Sequence, residues 1–319
     1  MSGEERLAHF PVAFFAVVMG LSGLTLVWQY AARLLAAPAA IGAGLAVVTV
    51  VTFVVLAGFY ALKMLRHPAA VREELEHPVR LSFFPAISIS LILIGTLLLE
   101  LVPPLAHGLW AIGTLLHLSL TLYVAGCWMH HERYEIAHIN PAWFIPAVGN
   151  ILVPLAGIPL GYPAISWFFF SVGLLFWIVL LTIVFYRMFF HAPLPARLLP
   201  TLFIMIAPPA VGFVAWTRLV GQLDAMGLIL VNIGLFLTLL LATQARRFAT
   251  LPFFLSFWAY SFPLAAITIA TFTYHELTGS QALLWLGTGL LGVTTLVIAW
   301  LIALTLQAAR EGRICVPEA

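Results

Sequence analysis

Apolar runs of about 20 residues recur along this chain, and they constrain its fold more than any other feature. A run of that length, wound as an α-helix, crosses a hydrocarbon core about 30 Å thick. Only 8% of the residues are charged, against about 25% in soluble domains, and the mean hydropathy is +1.09. The sequence therefore predicts an all-α polytopic membrane protein in which residues 1–319 form a single transmembrane domain.

The hydropathy pattern predicts ten spans separated by short polar connections. In chain order the spans are Phe10–Leu34, Ala39–Leu65, Phe83–Leu101, Leu105–Met129, Pro141–Ile158, Pro163–Phe190, Leu198–Leu219, Ala225–Gln244, Phe253–His275 and Ala282–Ala308. The fifth span is short and rich in proline and glycine, so we expect it to be the least regular. The first span is too long for the apolar core of a signal peptide, so we expect it to be retained.

The basic residues are unequally divided between the two sides of the predicted membrane. If the N-terminus is inside, all of the 14 Lys and Arg residues except Arg33 and Arg218 fall on the inner side. The positive-inside rule then predicts cytoplasmic termini in a multi-pass protein of the cell inner (plasma) membrane, with membrane lipid as a partner. Because these charges stand at span ends, the net charge of +2 gives no indication of nucleic-acid binding.

Each odd-numbered span carries a proline within its run or near its start, whereas the even-numbered spans lack a comparable interior proline. The five prolines are Pro11, Pro85, Pro146, Pro208 and Pro263. Their spacing is about one helical hairpin, which suggests a quasi-repeat of five hairpins. The simplest closed arrangement has an inner ring of five Pro-kinked odd helices forming a pore and an outer ring of five even helices. The alternative is that proline is simply common in membrane helices.

One stretch near the end of the chain, Trp258–Ala266, places a bulky aromatic residue directly before an intramembrane proline. Proline removes a backbone donor and crowds the preceding turn, so we expect a kink at Pro263. The freed carbonyl needs another partner in hydrocarbon, which favours a kink that faces protein or a cavity. The ring of Phe262 can then project into the enclosed space, and we predict that it plugs a pore. The alternative is a phenylalanine packed between helices.

Three stretches of the chain resemble signature sequences of the tellurite-resistance/dicarboxylate transporter (TDT) family, which includes bacterial TehA and the slow anion channels of plant guard cells. The stretches are His77–Pro85, Asn140–Pro154 and Trp258–Ala266. The resemblance covers the whole chain and implies a homotrimer with one pore through each protomer, blocked midway by a phenylalanine. The residue that matches this gate is Phe262, and a neighbouring aromatic matches Phe83 or Phe84.

The predicted pore lining is neutral, because no Lys, Arg, Asp or Glu lies deep within an odd-numbered span. Selection would depend on pore width, helix-end dipoles and positive potential at the cytoplasmic mouth, which suits small monovalent anions such as chloride or nitrate. Hydroxyl groups can contact a passing ion or bond to their own helix, and glycines can widen a lumen or serve close packing. The candidates are Ser88, Ser90, Thr96, Ser261, Thr268, Thr271, Gly20, Gly23, Gly95, Gly149 and Gly212.

The leading hypothesis for function is a gated anion channel. The alternative within the same fold is a proton-coupled carrier or exporter of C4-dicarboxylate, sulfite or tellurite-like oxyanions. Coupling usually needs an intramembrane acid or base, and the predicted pore-lining helices have none, which favours the channel. His117 lies in span four, which we expect in the outer ring, so a neutral imidazole bonded to a neighbour is favoured over a proton relay.

A histidine-rich connection after span four raises the further alternative of a metalloenzyme. Its candidate ligands are His130, His131, Glu132, Glu135 and His138. Three of them share a face if the segment is helical, but the same residues are ordinary for a solvated loop. Cys127 and Cys315 have no metal-ligand spacing. We therefore expect no metal site, no cofactor and no enzymatic activity, since no nucleophile–base pair or phosphate-binding loop appears either.

Overall fold

The computed structural model describes residues 3–130 and 134–316, and every regular element within them is helical. In this part of the chain, nine helical segments are long and apolar enough to cross a membrane. A further apolar segment, Pro141–Gly157, is shorter and corresponds to predicted span five. The prediction of an all-α polytopic membrane protein is confirmed, and the bounds of the nine long segments agree with the predicted spans to within a few residues.

The helices follow one another in hairpins. The α-helices are α1 (Gly3–Ala8), α2 (Phe15–Leu34), α3 (Ala39–Arg66), α4 (Pro68–Glu76), α5 (Pro85–Leu97), α6 (Pro103–His130), α7 (Phe144–Val148), α8 (Val153–Gly157), α9 (Pro163–Phe190), α10 (Ala207–Val220), α11 (Ala225–Ala242), α12 (Ala245–Ala249), α13 (Ser261–Thr278) and α14 (Gln281–Arg310). The 3₁₀ helices are Val12–Phe14, Arg80–Phe83, Ile136–His138, Pro141–Trp143, Gly149–Leu152, Ala196–Ile206 and Leu255–Tyr260.

The odd-numbered segments share one feature: each begins as a 3₁₀ helix and continues as an α-helix. The proline lies in the first turn of the α-helical part in four of them, as Pro85 in α5, Pro146 in α7, Pro208 in α10 and Pro263 in α13. Pro11 directly precedes the first 3₁₀ turn. Proline is tolerated in a first helical turn, because the N–H it lacks has no α-helical acceptor there. The structure thus differs from the expected interior kinks: the prolines mark a change of helix type.

Burial separates the long segments into two classes. In the odd-numbered segments, 61–78% of the residues in the most apolar 18-residue stretch are buried, against 17–33% in the even-numbered segments. Consecutive segments pair as hairpins, and the odd-numbered helices also contact one another. Helix α2 packs on α5 and α13, α10 packs on α13, and both α5 and α10 contact the broken fifth segment. These contacts connect the five odd-numbered segments in a closed circuit.

The fifth segment is the least regular of the set, as its composition predicts. It alternates 3₁₀ turns with α7 and α8, each only five residues long. Pro146 and Pro154 remove N–H groups that a continuous α-helix would use. All residues from Asn140 to Gly157 are buried, so protein encloses this irregular backbone. Enclosure by protein is the condition under which non-helical backbone is tolerated at membrane depth.

The start of α11 provides a first prediction, because Asp224 caps it. Asp224 Oδ1 accepts from Gly227 N at 2.9 Å and from Trp216 Nε1 at 2.7 Å. These bonds hold the pKa of the carboxyl below its usual 3.8. Because the folded-state pKa is depressed, the stabilisation is complete above the unfolded-state value and is lost as the pH falls through the folded-state value.

We therefore expect Asp224→Ala to lower the thermal unfolding temperature at neutral pH and to have a smaller effect below about pH 4. Thermal unfolding of the detergent-solubilised protein between neutral pH and pH 3 measures both. Asp224→Asn is the control, since asparagine keeps a capping oxygen but cannot titrate. An alanine variant as stable as wild type at neutral pH contradicts the capping role.

Candidate functional site

A cavity of about 660 Å³ lies where the N-terminal halves of the odd-numbered segments converge, and all five of these segments contribute to its wall. The wall along the segments is apolar. Its large apolar residues there include Met19, Ile89, Val148, Ile151, Leu152, Ile204, Val211 and Phe262. The charged and titratable residues of the wall all stand near segment starts. These are Glu74, His77, Arg80 and Arg197.

Phe262 belongs to the wall of this cavity. This residue is the second of α13, and its side chain, 8% exposed, forms part of the wall. Among the described residues of α13, none beyond Pro263 contributes to the lining, and the helix continues buried from Leu264 to Thr268. Phe262 and Pro263 are therefore the last described residues of α13 that line the cavity.

Glycines on α2 allow α13 to approach closely at this level. A Cβ added at Gly20 would lie 2.3 Å from Ser261 Oγ, and one added at Gly23 would lie 2.6 Å from the Cβ of Ala265. Both distances are too short for any side chain, so these glycines serve close helix packing. Of the five glycines that the sequence singled out, Gly149 is the one in the described cavity wall.

The structure separates the two aromatic candidates of the third segment. Phe83 lines the cavity, whereas Phe84 is buried, with its ring centroid 6.2 Å from that of Tyr60. The five prolines of the odd-numbered segments also differ in whether they line the cavity. The wall includes Pro11, Pro208 and Pro263. Pro85 and Pro146 are buried but do not belong to the described lining.

The six hydroxyl groups that the sequence offered as ion contacts all bond to carbonyls of their own segments. None of these hydroxyls belongs to the described cavity wall. They bond within their own helices, which is the second of the two alternatives that the sequence left open. Sequence reasoning missed the hydroxyls that do line the cavity, Thr201 and Ser256. Both donate to backbone carbonyls at 2.6 Å, Thr201 to Leu198 and Ser256 to Arg197.

Glu74 at the open end belongs to a buried ionic network that sequence reasoning also missed. Lys63 Nζ donates to Glu74 Oε2 at 2.7 Å and to the carbonyl oxygen of Phe10 at 2.9 Å. The Tyr60 hydroxyl donates to Oε2 at 2.9 Å, and the backbone N–H of Val12 donates to Oε1 at 3.1 Å. The network compensates the carboxylate and ties the start of the first segment to α3 and α4.

The remaining charge at the open end is basic. Arg80 lies 3.6 Å from the exposed carboxylate of Glu73, and Arg197 stands at the start of the seventh segment. Three basic side chains, Lys63, Arg80 and Arg197, stand at this end with two acidic ones, Glu73 and Glu74, so these groups together give it a positive bias. Such a bias attracts anions to the opening without fixing them along the apolar wall.

His117 is fully buried on α6, and its Nδ1 lies 2.9 Å from Ser88 Oγ. The imidazole is thus bonded to a neighbour and lies outside the described cavity wall. Its remaining nitrogen, Nε2, has no hydrogen-bond partner among the described residues.

The histidine-rich connection lies partly outside the described residues, which exclude His131 and Glu132. Of its other candidates, His130 bonds to its own helix, and the backbone N–H of Glu135 donates to His138 Nδ1 at 3.1 Å. Among the described residues, no three His, Cys, Asp or Glu side chains converge as metal ligands would.

Comparison with known proteins adds independent findings. Residues 9–306 match the SLAC1 family model, described as a voltage-dependent anion channel. The chain is 30% identical to the S-type anion channel SLAH3 of Arabidopsis thaliana over 94% of its own length, which is 48% of that relative. It is 26% identical to an uncharacterized transporter of Methanocaldococcus jannaschii, covering 94% of both chains. It is 28% identical to a tellurite resistance protein TehA homolog of Haemophilus influenzae, over 83% of this chain and 81% of that one.

Proposed function

Because this chain belongs to the SLAC1 family of voltage-dependent anion channels, we propose that it forms a gated pathway for small monovalent anions, with Phe262 as the gate. Chloride and nitrate are the first candidates. One observation carries the proposal: a cavity lined by all five odd-numbered segments has Phe262 in its wall, and no described residue of α13 beyond Pro263 lines it. The chain spans 48% of the length of the plant relative SLAH3, so the proposal concerns only the anion pathway and not the whole activity of that relative.

The chemistry of the cavity supports a weakly selective pathway. Its wall along the segments is apolar, and the basic residues Arg80 and Arg197 stand only at the opening. An anion attracted to this opening meets no fixed counter-charge on the described wall between there and Phe262. A ring that fills a narrow apolar passage blocks ions by bulk and by excluding water. The gate is therefore a steric and dewetting barrier, and opening requires the ring to move.

The orientation of the pathway follows from the charges. The cavity opens at the end of the molecule that bears Lys63, Arg80 and Arg197, the side that the positive-inside rule assigns to the cytoplasm. Both termini then lie in the cytoplasm, and the host membrane is the cell inner (plasma) membrane. The large exposed apolar side chains of the even-numbered helices suit contact with lipid and with two further protomers in a homotrimer.

Beyond the segment starts, the described wall contains no ionisable side chain, which favours a channel over a proton-coupled carrier of dicarboxylates or oxyanions. Flux measurements in proteoliposomes test this choice. We expect wild type and Phe262→Ala to pass chloride and nitrate in response to membrane potential, with no dependence on a pH gradient. Uptake of malate driven by a pH gradient, without potential-driven flux of either anion, would establish the carrier instead.

A further inference from the structure

The broken fifth segment depends on α6 for its position. Thr121 Oγ1 on α6 donates to the carbonyl oxygen of Pro146 at 2.7 Å and accepts from Asn150 Nδ2 at 3.1 Å. About three turns away on the same helix face, Trp110 Nε1 donates to the carbonyl oxygen of Val153 at 3.0 Å. These bonds attach the backbone of the fifth segment to α6 at two points.

Between these two attachments, the ring of His117 fills the space behind the fifth segment. A Cβ added at Gly149 would lie 2.6 Å from His117 Cε1 and 2.7 Å from His117 Nε2. The same atom would lie 2.6 Å from Cδ1 of Ile89, which lines the cavity beside Gly149. The bond from His117 Nδ1 to Ser88 at 2.9 Å fixes the other edge of the ring against α5. The imidazole is thus a spacer between the third and fifth segments, in contact with Gly149 at the back.

We propose that the contact between His117 and Gly149 sets the position of the fifth segment and thereby the width of the cavity where Val148, Gly149 and Ile89 line it. His117 acts as a positioning residue that does not itself contact the permeating ion. This inference rests on the proposed pathway only where conductance is the readout. Interiors are close-packed, so a single added or removed group at this contact moves the segment.

The first test adds one methyl group in the Phe262→Ala background, where the gate is removed. Gly149→Ala pushes the fifth segment away from His117 and into the lumen, so we expect conductance to fall several-fold. The matched control is Gly126→Ala on α6, because a Cβ there meets nothing within 4 Å. Conductance of Gly149→Ala/Phe262→Ala equal to that of Phe262→Ala, with both proteins folded, overturns the proposal.

The second test changes the width of the cavity in the opposite direction. His117→Ala removes the spacer and lets the fifth segment retreat, so we expect malate to permeate better relative to nitrate. Combining His117→Ala with Gly149→Ala should restore both conductance and selectivity toward those of Phe262→Ala alone. If Gly149→Ala does not fold, His117→Ala still decides: an unchanged malate-to-nitrate ratio overturns the proposal.

A third readout is independent of ion flow. Val148→Cys, in a chain with Cys127 and Cys315 replaced by alanine, places a thiol on the cavity wall next to the contact. We expect Gly149→Ala to slow its modification by bulky thiol reagents more than by small ones, and His117→Ala to do the opposite. If this pattern appears and no variant conducts, the positioning role stands and the proposed channel fails. If the rates are unchanged, the positioning role fails.

Discussion

Phe262→Ala is expected to raise anion conductance at least about tenfold over wild type, which corresponds to a barrier lower by about 1.4 kcal/mol. The ring forms part of the cavity wall beyond the segment starts, where the described lining carries no charged side chain. Removing the ring leaves a wider passage that water can enter, and both the steric and the dewetting parts of the barrier fall. The measurement is conductance in oocytes or planar bilayers with chloride, nitrate and malate compared.

Phe84→Ala is the matched control for this experiment. Phe84 is also a buried phenylalanine, but it packs against Tyr60 instead of the cavity. Truncating either ring should cost about 3–5 kcal/mol of stability if the ring serves only packing. We expect increased conductance from Phe262→Ala alone. If both variants are destabilised alike and neither conducts more than wild type, Phe262 is a packing residue and the gate is wrong.

Lys63→Ala is expected to destabilise the fold by about 3–5 kcal/mol, because it leaves the Glu74 carboxylate buried and without its counter-charge. Lys63 and Glu74 are nearly inaccessible, with side chains 2% and 6% exposed, and their atoms lie 2.7 Å apart. Lys63 Nζ also donates to the carbonyl oxygen of Phe10 at 2.9 Å, so the variant also loses a bond to the start of the first segment. Thermal unfolding of the detergent-solubilised protein measures the loss.

Two controls separate this effect from a general loss of charge. Arg72→Ala removes an exposed partner of Glu76, 3.8 Å away, and should change stability little. The double variant Lys63→Met/Glu74→Leu removes both buried charges together and should recover most of the stability lost in Lys63→Ala. A Lys63→Ala protein as stable as Arg72→Ala would contradict the role assigned to the network.

Part of the candidate site was accessible from the sequence. Phe262 was identified from one proline and one ring, and it lies in the cavity wall. The choice between Phe83 and Phe84 stayed open, because a 3₁₀ helix of four residues, Arg80–Phe83, meets an α-helix at this point. Successive side chains rotate about the axis by different angles in the two helix types, so an α-helical wheel cannot show which of the two rings faces the cavity. Only the folded backbone distinguishes the two rings.

The sequence by itself determined the number, order and approximate bounds of the apolar segments, since length and hydropathy are properties of each stretch alone. It also indicated the family, because the signature stretches are local in the chain. Only the tertiary structure decided the pairing of Lys63 with Glu74 and the contact of Gly149 with His117. It also showed that the hydroxyls of the odd-numbered segments bond to carbonyls of their own helices and do not line the cavity. Those features depend on which helix surfaces are in contact. Close packing between segments that are distant in the chain determines these contacts, and the sequence of one segment does not show which other segment it will meet.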